Sequence, residues 1–386
     1  MIGLLLAIIY AAFISLGLPD GLLGSAWPTI YQEFGVPVSY MGIVSMIISG
    51  GTVISSLKSD YLTKKLGVGL VTAISVFLTA FAIFGFSISH NFILICLFAI
   101  PYGLGAGSVD AALNNYVALH YKSRHMSWLH CMWGVGASLG PVIMGFALNG
   151  GKTWNRGYFY VGIIQVVLTA ILFCSIPLWK KNPTSQSQTT SQEKSSLRIK
   201  DVLAIPGAKA ALVTFFCYCA LEQTAGQWAA SFLVLARNVS PELAARFASF
   251  FYIGITVGRG ICGFITFKLN DKQMVRLGLF IILIGVILIF LPEQNLSLAG
   301  LIIIGLGCAP VYPSMIHSTP LRFGADKSQA VIGMQMATAY IGTTLMPPIY
   351  GLFANFVNAN ILPFYLGAIL ILMFVMHEIC EKKVQG

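Results

Sequence analysis

The sequence predicts an all-α membrane protein with twelve transmembrane helices in two six-helix bundles. Of its 386 residues, 57% are hydrophobic and only 9% are charged, whereas soluble domains carry about 25% charged residues. A helix that crosses the hydrocarbon core needs about 20 apolar residues, so the chain has room for about a dozen spans joined by short loops. The composition therefore excludes a soluble globular class.

Apolar runs that end at charged residues, Gly or Pro predict where the spans lie. In the first half of the chain they lie near 2–30, 39–62, 68–88, 92–119, 127–149 and 157–179. In the second half they lie near 208–236, 243–267, 273–291, 297–320, 327–356 and 361–379. The residues between the two sets are polar, basic and rich in Ser, Thr and Gln, which is typical of a solvated linker. We therefore predict an N-terminal bundle at 1–179, a cytoplasmic linker at 180–207 and a C-terminal bundle at 208–386.

The basic residues predict the orientation of the chain in a cytoplasmic (inner or plasma) membrane. If both termini are cytoplasmic, most Lys and Arg residues lie on the inside, as the positive-inside rule requires. The outside loops then hold only Lys152, Arg156, Arg237 and Arg246. Because the basic residues form no stripe or patch, the net charge of +10 does not indicate a nucleic-acid partner.

The two halves of the sequence repeat each other. Gly103-Leu104-Gly105 recurs as Gly305-Leu306-Gly307, and the same offset of 202 residues pairs Asp20 with Glu222. Two parallel repeats of six spans are typical of one large class of secondary transporters.

Motifs of other functional classes are missing from the sequence. The eight cysteines show no C-x-x-C spacing, so we expect neither a zinc site nor a disulfide framework. The sequence has no P-loop and no H-E-x-x-H motif. We therefore expect no enzyme activity, no metal and no cofactor.

The loop between spans two and three carries a family resemblance. Residues 56–65 (SLKSDYLTKK) resemble the G-x-x-x-D-R-x-G-R-R loop of the major facilitator superfamily. Asp60, Lys64 and Lys65 agree with that pattern, whereas its Gly and Arg positions are occupied by other residues. The resemblance implies a gating role for these three side chains. For Arg259, which lies within span eight, we expect a structural role in snorkelling or in pairing with an acid.

Two shorter segments resemble the fucose/proton symporter branch of that superfamily. They are Leu18-Pro19-Asp20-Gly21 in span one, and Gly103-Leu104-Gly105 followed by Asp110 and Asn114 in span four. The resemblance implies a sugar as substrate and buried acids that carry protons.

Three acids lie deep within apolar runs, where a carboxylate costs about 2.5–3.5 kcal/mol. For Asp20, Asp110 and Glu222 we expect a role in proton coupling, because a low dielectric favours their neutral forms. The structural alternatives are a bond from Asp110 to a helix end and a cap by Asp20 for the helix break at Pro19-Asp20-Gly21.

Polar and aromatic residues near these acids predict a substrate cavity. Asn114 lies one turn after Asp110 on the same helix face, and Glu222 begins a stripe that suits a hydroxyl-rich ligand. The alternative is ordinary hydrogen bonding between helices. The candidate substrate-binding residues are Asn114, Asn115, His130, Trp133, Gln223, Gln227, Trp228, His317 and Gln335.

Together these features predict a monomeric secondary active transporter in which residues 1–179 rock against 208–386. Its expected ligands are protons and a small molecule, which we expect to be a sugar. Gly136-x-x-x-Gly140-Pro141-x-x-x-Gly145 in span five is similar to a signature of drug/proton antiporters. A proton-coupled drug or lipid exporter is therefore the alternative. A membrane receptor that transports nothing is the other rival, and it would not need three buried acids.

Overall fold

The computed structural model describes residues 2–37, 40–149, 153–180, 197–239 and 241–385. Throughout these ranges the chain is helical apart from short connections. Of the predicted linker at 180–207, residues 181–196 lie outside the described residues, as does Lys152 in a predicted outside loop. The last described part of the linker forms a short helix at Ile199–Ala204.

The helices follow the predicted spans closely. In chain order they are α1 Ile2–Asp20, α2 Leu22–Glu33, α3 Met41–Leu66, α4 Val68–Ser87, α5 Phe92–His120, α6 Ser123–Asn149, α7 Trp154–Lys180 and α8 Ile199–Ala204. They continue with α9 Ala208–Arg237, α10 Pro241–Ile265, α11 Asp271–Phe290, α12 Gln294–His317, α13 Thr319–Phe323, α14 Ser328–Phe356 and α15 Leu362–Gln385, with a 3-10 turn at Ala359–Ile361. The pair α1 and α2 occupies the first predicted span, and α8 and α13 are short connecting helices.

Most of the long helices are apolar enough to cross a membrane. In the described parts of the chain, nine helices meet the length and composition of a span, and α10 contributes a shorter apolar stretch at Phe250–Ile265. The helices α9 and α14 coincide with predicted spans but carry more polar residues, among them Glu222, Gln223 and Gln335. These polar residues lower the mean hydropathy of α9 and α14.

The described residues form two compact units. The first lies within Met1–Tyr116 and Leu129–Leu197, and the second within Val117–Trp128 and Arg198–Gly386. The segment Val117–Trp128, where α5 ends and α6 begins, therefore groups with the second unit. We call this segment the hairpin tip.

Within the first unit, glycines bring α1 and α6 into backbone contact. A Cβ atom added to Gly17 would lie 2.1 Å from the Trp133 carbonyl oxygen, and one added to Gly136 would lie 2.0 Å from the Ile14 carbonyl oxygen. Small residues allow such close approach of membrane helices. Gly136 of the glycine element in span five thus has a packing role, and its contact holds the α6 segment around Trp133 against α1.

Gly136→Ala is expected to destabilise the protein, because the added methyl group forces α1 and α6 apart. Overpacking of this kind costs about 1–3 kcal/mol, which is measured as a lower melting temperature of the purified protein. The matched control is Gly145→Ala on the same helix, where a Cβ would meet nothing within 4 Å. Equal melting temperatures for the two variants would contradict this account of the crossing.

Candidate functional site

Asp20 lies at a break in the first span of the first unit. The helix α1 ends at Asp20, Gly21 interrupts it, and α2 begins at Leu22. Pro19 has no N–H to continue the helical bonding, and the Ser25 hydroxyl donates a 2.6 Å bond to the Gly21 carbonyl near the break. The break leaves the Asp20 side chain exposed, whereas the preceding residues Leu18 and Pro19 are buried.

Both carboxylate oxygens of Asp20 accept hydrogen bonds from neutral donors. The Tyr102 hydroxyl on α5 donates to Oδ1 at 3.0 Å, and the Trp133 indole on α6 donates to Oδ2 at 2.9 Å. Among the described residues, no Lys, Arg or His forms an ion pair with Asp20. A proton can therefore join or leave this carboxylate without the breaking of an ion pair.

Asp110 belongs to a second polar cluster of the first unit. The Asn114 amide donates to the Asp110 carboxylate at 2.7 Å and to its carbonyl oxygen at 3.0 Å. The distance from His130 Nε2 to Asn114 Oδ1 is 3.0 Å, and because this oxygen can only accept, His130 donates from Nε2. Asn114 has no exposed surface, and Asn115 is also buried. Asn114 thus links the acid to the imidazole within the protein interior.

Sequence reasoning missed a buried polar pair on α1 and α7. The Ser15 hydroxyl donates to the Gln165 side-chain carbonyl at 2.9 Å, and the Gln165 amide donates to the Ser15 backbone carbonyl at 2.6 Å. Both side chains are buried. A lone Gln within the apolar run of span six was the available signal, because such a group needs partners in the membrane.

In the second unit, Glu222 is paired with a cation. The Glu222 carboxylate on α9 lies 3.5 Å from the Arg259 guanidinium on α10, and only 4% of the Arg259 side chain is exposed. The guanidinium also lies 3.5 Å from the Tyr218 hydroxyl and 5.8 Å from the centre of the Tyr312 ring. The environment of Glu222 therefore differs from that of Asp20, whose hydrogen-bond donors are neutral.

The polar stripe that follows Glu222 divides into two kinds of side chain. The Trp228 indole donates to the Pro347 carbonyl at 3.0 Å and packs edge-on against Tyr350, so it is engaged with α14. Gln227 is exposed and Gln223 is partly exposed. Among the residues that the structure describes, neither Gln side chain forms a hydrogen bond, so both amides are open to a ligand.

The two remaining candidates of the second unit are engaged with protein groups. Gln335 is buried, and its side-chain carbonyl accepts a 3.0 Å bond from the Thr319 hydroxyl. His317 is the last residue of α12, where its two ring nitrogens contact Asp271 and the Tyr121 carbonyl at 2.6 and 3.0 Å. His317 thus lies at a helix end, well away in the chain from the stripe on α9.

The segment that resembles the superfamily motif was expected in a loop, but residues 56–65 form the last turns of α3. Lys64 lies 2.9 Å from the Asp60 carboxylate one helical turn before it, and the Leu197 N–H donates to the same carboxylate oxygen at 3.3 Å. The Lys65 amine contacts the Tyr61 hydroxyl at 3.5 Å. Leu197, the first residue of the linker that the structure describes after 196, is thus attached to the buried Asp60.

A sequence model of the Major Facilitator Superfamily matches residues 9–347. The chain belongs to the major facilitator superfamily. The fold class predicted from the sequence is confirmed, and the protein is a multi-pass membrane transporter rather than an enzyme, as predicted.

Proteins similar in sequence to this chain come from bacteria and yeast. The glucose/mannose transporter GlcP of Bacillus subtilis is 22% identical over 312 residues, which cover 79% of this chain and 77% of that protein. Bypass of stop codon protein 6 of Saccharomyces cerevisiae is 22% identical over 284 residues, which cover 68% of this chain. The match spans 56% of the length of that yeast protein.

A solved structure of the superfamily shares the fold of the chain. FucP, the Escherichia coli fucose:proton symporter, has in its outward conformation a TM-score of 0.80 at 15% identity, with 96% of this chain and 98% of FucP covered. At this identity the likeness concerns the fold alone.

Proposed function

We propose that this protein is a proton-coupled sugar symporter that works by alternating access in the cytoplasmic membrane, with both termini inside. Asp20 carries the proposal, because its exposed carboxylate is held by two neutral donors, Tyr102 and Trp133. Such an acid can take up a proton from one side of the membrane and release it to the other. The sugar names of GlcP and FucP support the choice of substrate.

The three acids have different proposed tasks. Asp20 exchanges the transported proton, and Asp110 is a second proton site whose charge is sensed by Asn114 and His130. Glu222 is paired with Arg259, so protonation of the Glu222 carboxylate would break that ion pair and free the guanidinium. Protonation favours the conformation that binds sugar, and loss of the proton inside favours release, since each ligand shifts the equilibrium by its differential affinity.

The proposed sugar contacts follow from the open polar groups. The Trp133 indole offers an aromatic face to the C–H face of a sugar. It lies beside the Asp20 carboxyl group, whose carbonyl oxygen can accept from a hydroxyl group when the acid is protonated. In the second unit, Gln223 and Gln227 offer both donors and acceptors. Asn114, Asn115, His130, Trp228, His317 and Gln335 are engaged or buried, so we propose that they support the contacting residues.

The end of α3 around Asp60 has a proposed role in gating. Lys64 and the Leu197 N–H share one carboxylate oxygen of Asp60, so a movement of α3 would change the attachment of the linker. In this proposal the bundles 1–179 and 208–386 move as bodies, and 180–207 connects them on the cytoplasmic side.

The substrate is tested by uptake of labelled hexoses into proteoliposomes with an imposed proton gradient. We expect one hexose to accumulate when the outside is acidic and none to accumulate without a gradient. Sugar flux that ignores the gradient would contradict symport. No flux of any hexose, together with efflux of an amphipathic cation against the gradient, would support the exporter alternative instead.

A further inference from the structure

A set of hydrogen bonds attaches the hairpin tip to α11 and α12. The Ser123 hydroxyl donates to Asp271 Oδ1 at 2.5 Å, and His317 Nδ1 lies 2.6 Å from Asp271 Oδ2. His317 Nε2 lies 3.0 Å from the Tyr121 carbonyl oxygen. We call this set the latch. All its members lie in the second unit, and about a sixth of the Asp271 and His317 side chains is exposed.

The hydrogen bonds of the latch need one more proton than a neutral His317 and an ionised Asp271 hold together. A carbonyl oxygen only accepts, so the hydrogen of His317 that faces Tyr121 is on Nε2. A neutral imidazole then has a lone pair on Nδ1, and an ionised carboxylate also has only acceptors. A 2.6 Å contact between these two groups therefore needs a second proton, either on Nδ1 or on Asp271 Oδ2.

We propose that Asp271 and His317 form a further proton-binding site whose proton fastens the hairpin tip to α11 and α12. Loss of that proton leaves one ring nitrogen of His317 with a lone pair that faces an acceptor, either Asp271 Oδ2 or the Tyr121 carbonyl oxygen, and that contact becomes repulsive. The latch is therefore closed at low pH and released as the pH rises. This site is separate from the three acids proposed for coupling, and it does not depend on the substrate.

The other ionisable groups on and around these segments do not reverse that sign. The tip and the start of α11 carry His120, Tyr121, Lys122, Arg124, His125, Lys268, Lys272 and Arg276. Three neighbouring cations are paired with acids of α15, since Lys272 and Arg322 pair with Glu381, and Arg276 pairs with Glu378. Among the described residues, Asp271 is the ionisable side chain that contacts the His317 ring, so the direction of the effect is unchanged.

Hydrogen–deuterium exchange of the full-length protein in nanodiscs tests the site without any substrate. The readout is deuterium uptake by peptides that cover 117–128. It is measured between about pH 5.5 and about pH 8.5, because histidine titrates in this range. Each rate is corrected for the intrinsic effect of pH on amide exchange. In the unmodified protein we expect corrected uptake to become about tenfold faster as the pH rises over this range. Loss of one charge-assisted hydrogen bond changes an opening equilibrium by about this factor.

Asp271→Asn is the decisive variant, because an amide can complete the same bonds without the extra proton. Its Nδ2 donates to Nδ1 of neutral His317, and its Oδ1 accepts from Ser123. We expect the tip of this variant to be protected at every pH, whereas His317→Ala should exchange rapidly at every pH. His125→Gln removes another imidazole from the tip and should keep the pH dependence.

Two results would overturn the site. One is pH-independent exchange of the tip in the unmodified protein, and the other is an Asp271→Asn variant that either keeps the pH dependence or is unprotected throughout. Protection of peptides from α11 and α12 reports that each variant is folded. If His317→Ala fails that check, Asp271→Asn decides alone. A failure of sugar transport would leave these outcomes unaffected, so the two proposals are distinguishable.

Discussion

Asp20→Asn is expected to abolish proton-driven sugar accumulation while sugar exchange across the membrane continues. Asparagine is neutral at every pH, so it cannot carry the proton. It can still be held in place, because its Oδ1 can accept from the Trp133 indole while its Nδ2 donates to the Tyr102 hydroxyl, which both donates and accepts. The variant should therefore fold and bind sugar.

The size of this effect follows from the driving force. A gradient of about one pH unit supplies about 1.4 kcal/mol for each proton, which corresponds to about tenfold accumulation if one proton accompanies each sugar. Asp20→Asn should reduce that ratio to about one in the same proteoliposomes. Counterflow, in which labelled sugar exchanges for unlabelled sugar, should persist.

The matched control is Asp326→Asn, the same substitution at an exposed loop residue between α13 and α14. It should accumulate sugar as the unmodified protein does. An Asp20→Asn variant that still accumulated sugar to the same ratio would remove Asp20 from the coupling mechanism. The proton would then have to be carried by Asp110 or Glu222.

Arg259→Met is expected to cause the largest loss of stability, and Glu222→Gln in the same chain should restore most of it. The guanidinium is almost fully enclosed and lies 3.5 Å from the Glu222 carboxylate. Removal of one partner of a buried pair costs about 3 kcal/mol, because the other charge is left uncompensated, whereas replacement of both partners is often nearly neutral. Melting temperatures of the purified single and double variants give this comparison.

The double variant also distinguishes a structural role of Glu222 from a role in proton coupling. If Glu222 acts only as the counter-ion of Arg259, the folded Glu222→Gln/Arg259→Met protein should still accumulate sugar. If Glu222 also carries a proton, accumulation should fall even though the melting temperature recovers. A double variant as unstable as Arg259→Met would contradict the pairing as the reason for the loss.

Apolar runs were sufficient to predict the spans, because a helix is the only open element that satisfies its own backbone groups in lipid. The ends were predicted less well. The helices α3 and α15 continue through charged residues that the hydropathy pattern assigned to loops, since Lys64 pairs with Asp60, and Lys272 pairs with Glu381. Ion pairs allow a helix to extend past its apolar part.

Contacts within one helix were predicted more easily than contacts between helices. The bond of Asn114 to Asp110 follows from their spacing of one turn, and His130 was expected nearby. Trp133 was assigned to the same cluster, but it contacts Asp20 because glycines set the crossing of α1 and α6. The angle of that crossing is not encoded in either span alone.

The pairing of Glu222 with Arg259 and the latch at His317 depend on which helices are neighbours. Sequence reasoning recognised that Arg259 could pair with an acid, but three buried acids were available. His317 was expected in a cavity because it lies in an apolar run, and only the fold brings it beside Asp271 and the hairpin tip.

The most direct test of proton-coupled sugar transport measures the pH outside de-energised cells that contain the protein. The pH is recorded while the hexose that accumulates in proteoliposomes is added to the cells. The account predicts a transient rise in external pH as protons enter with the sugar, and no rise in cells with Asp20→Asn. Entry of labelled sugar without any change in external pH would contradict it.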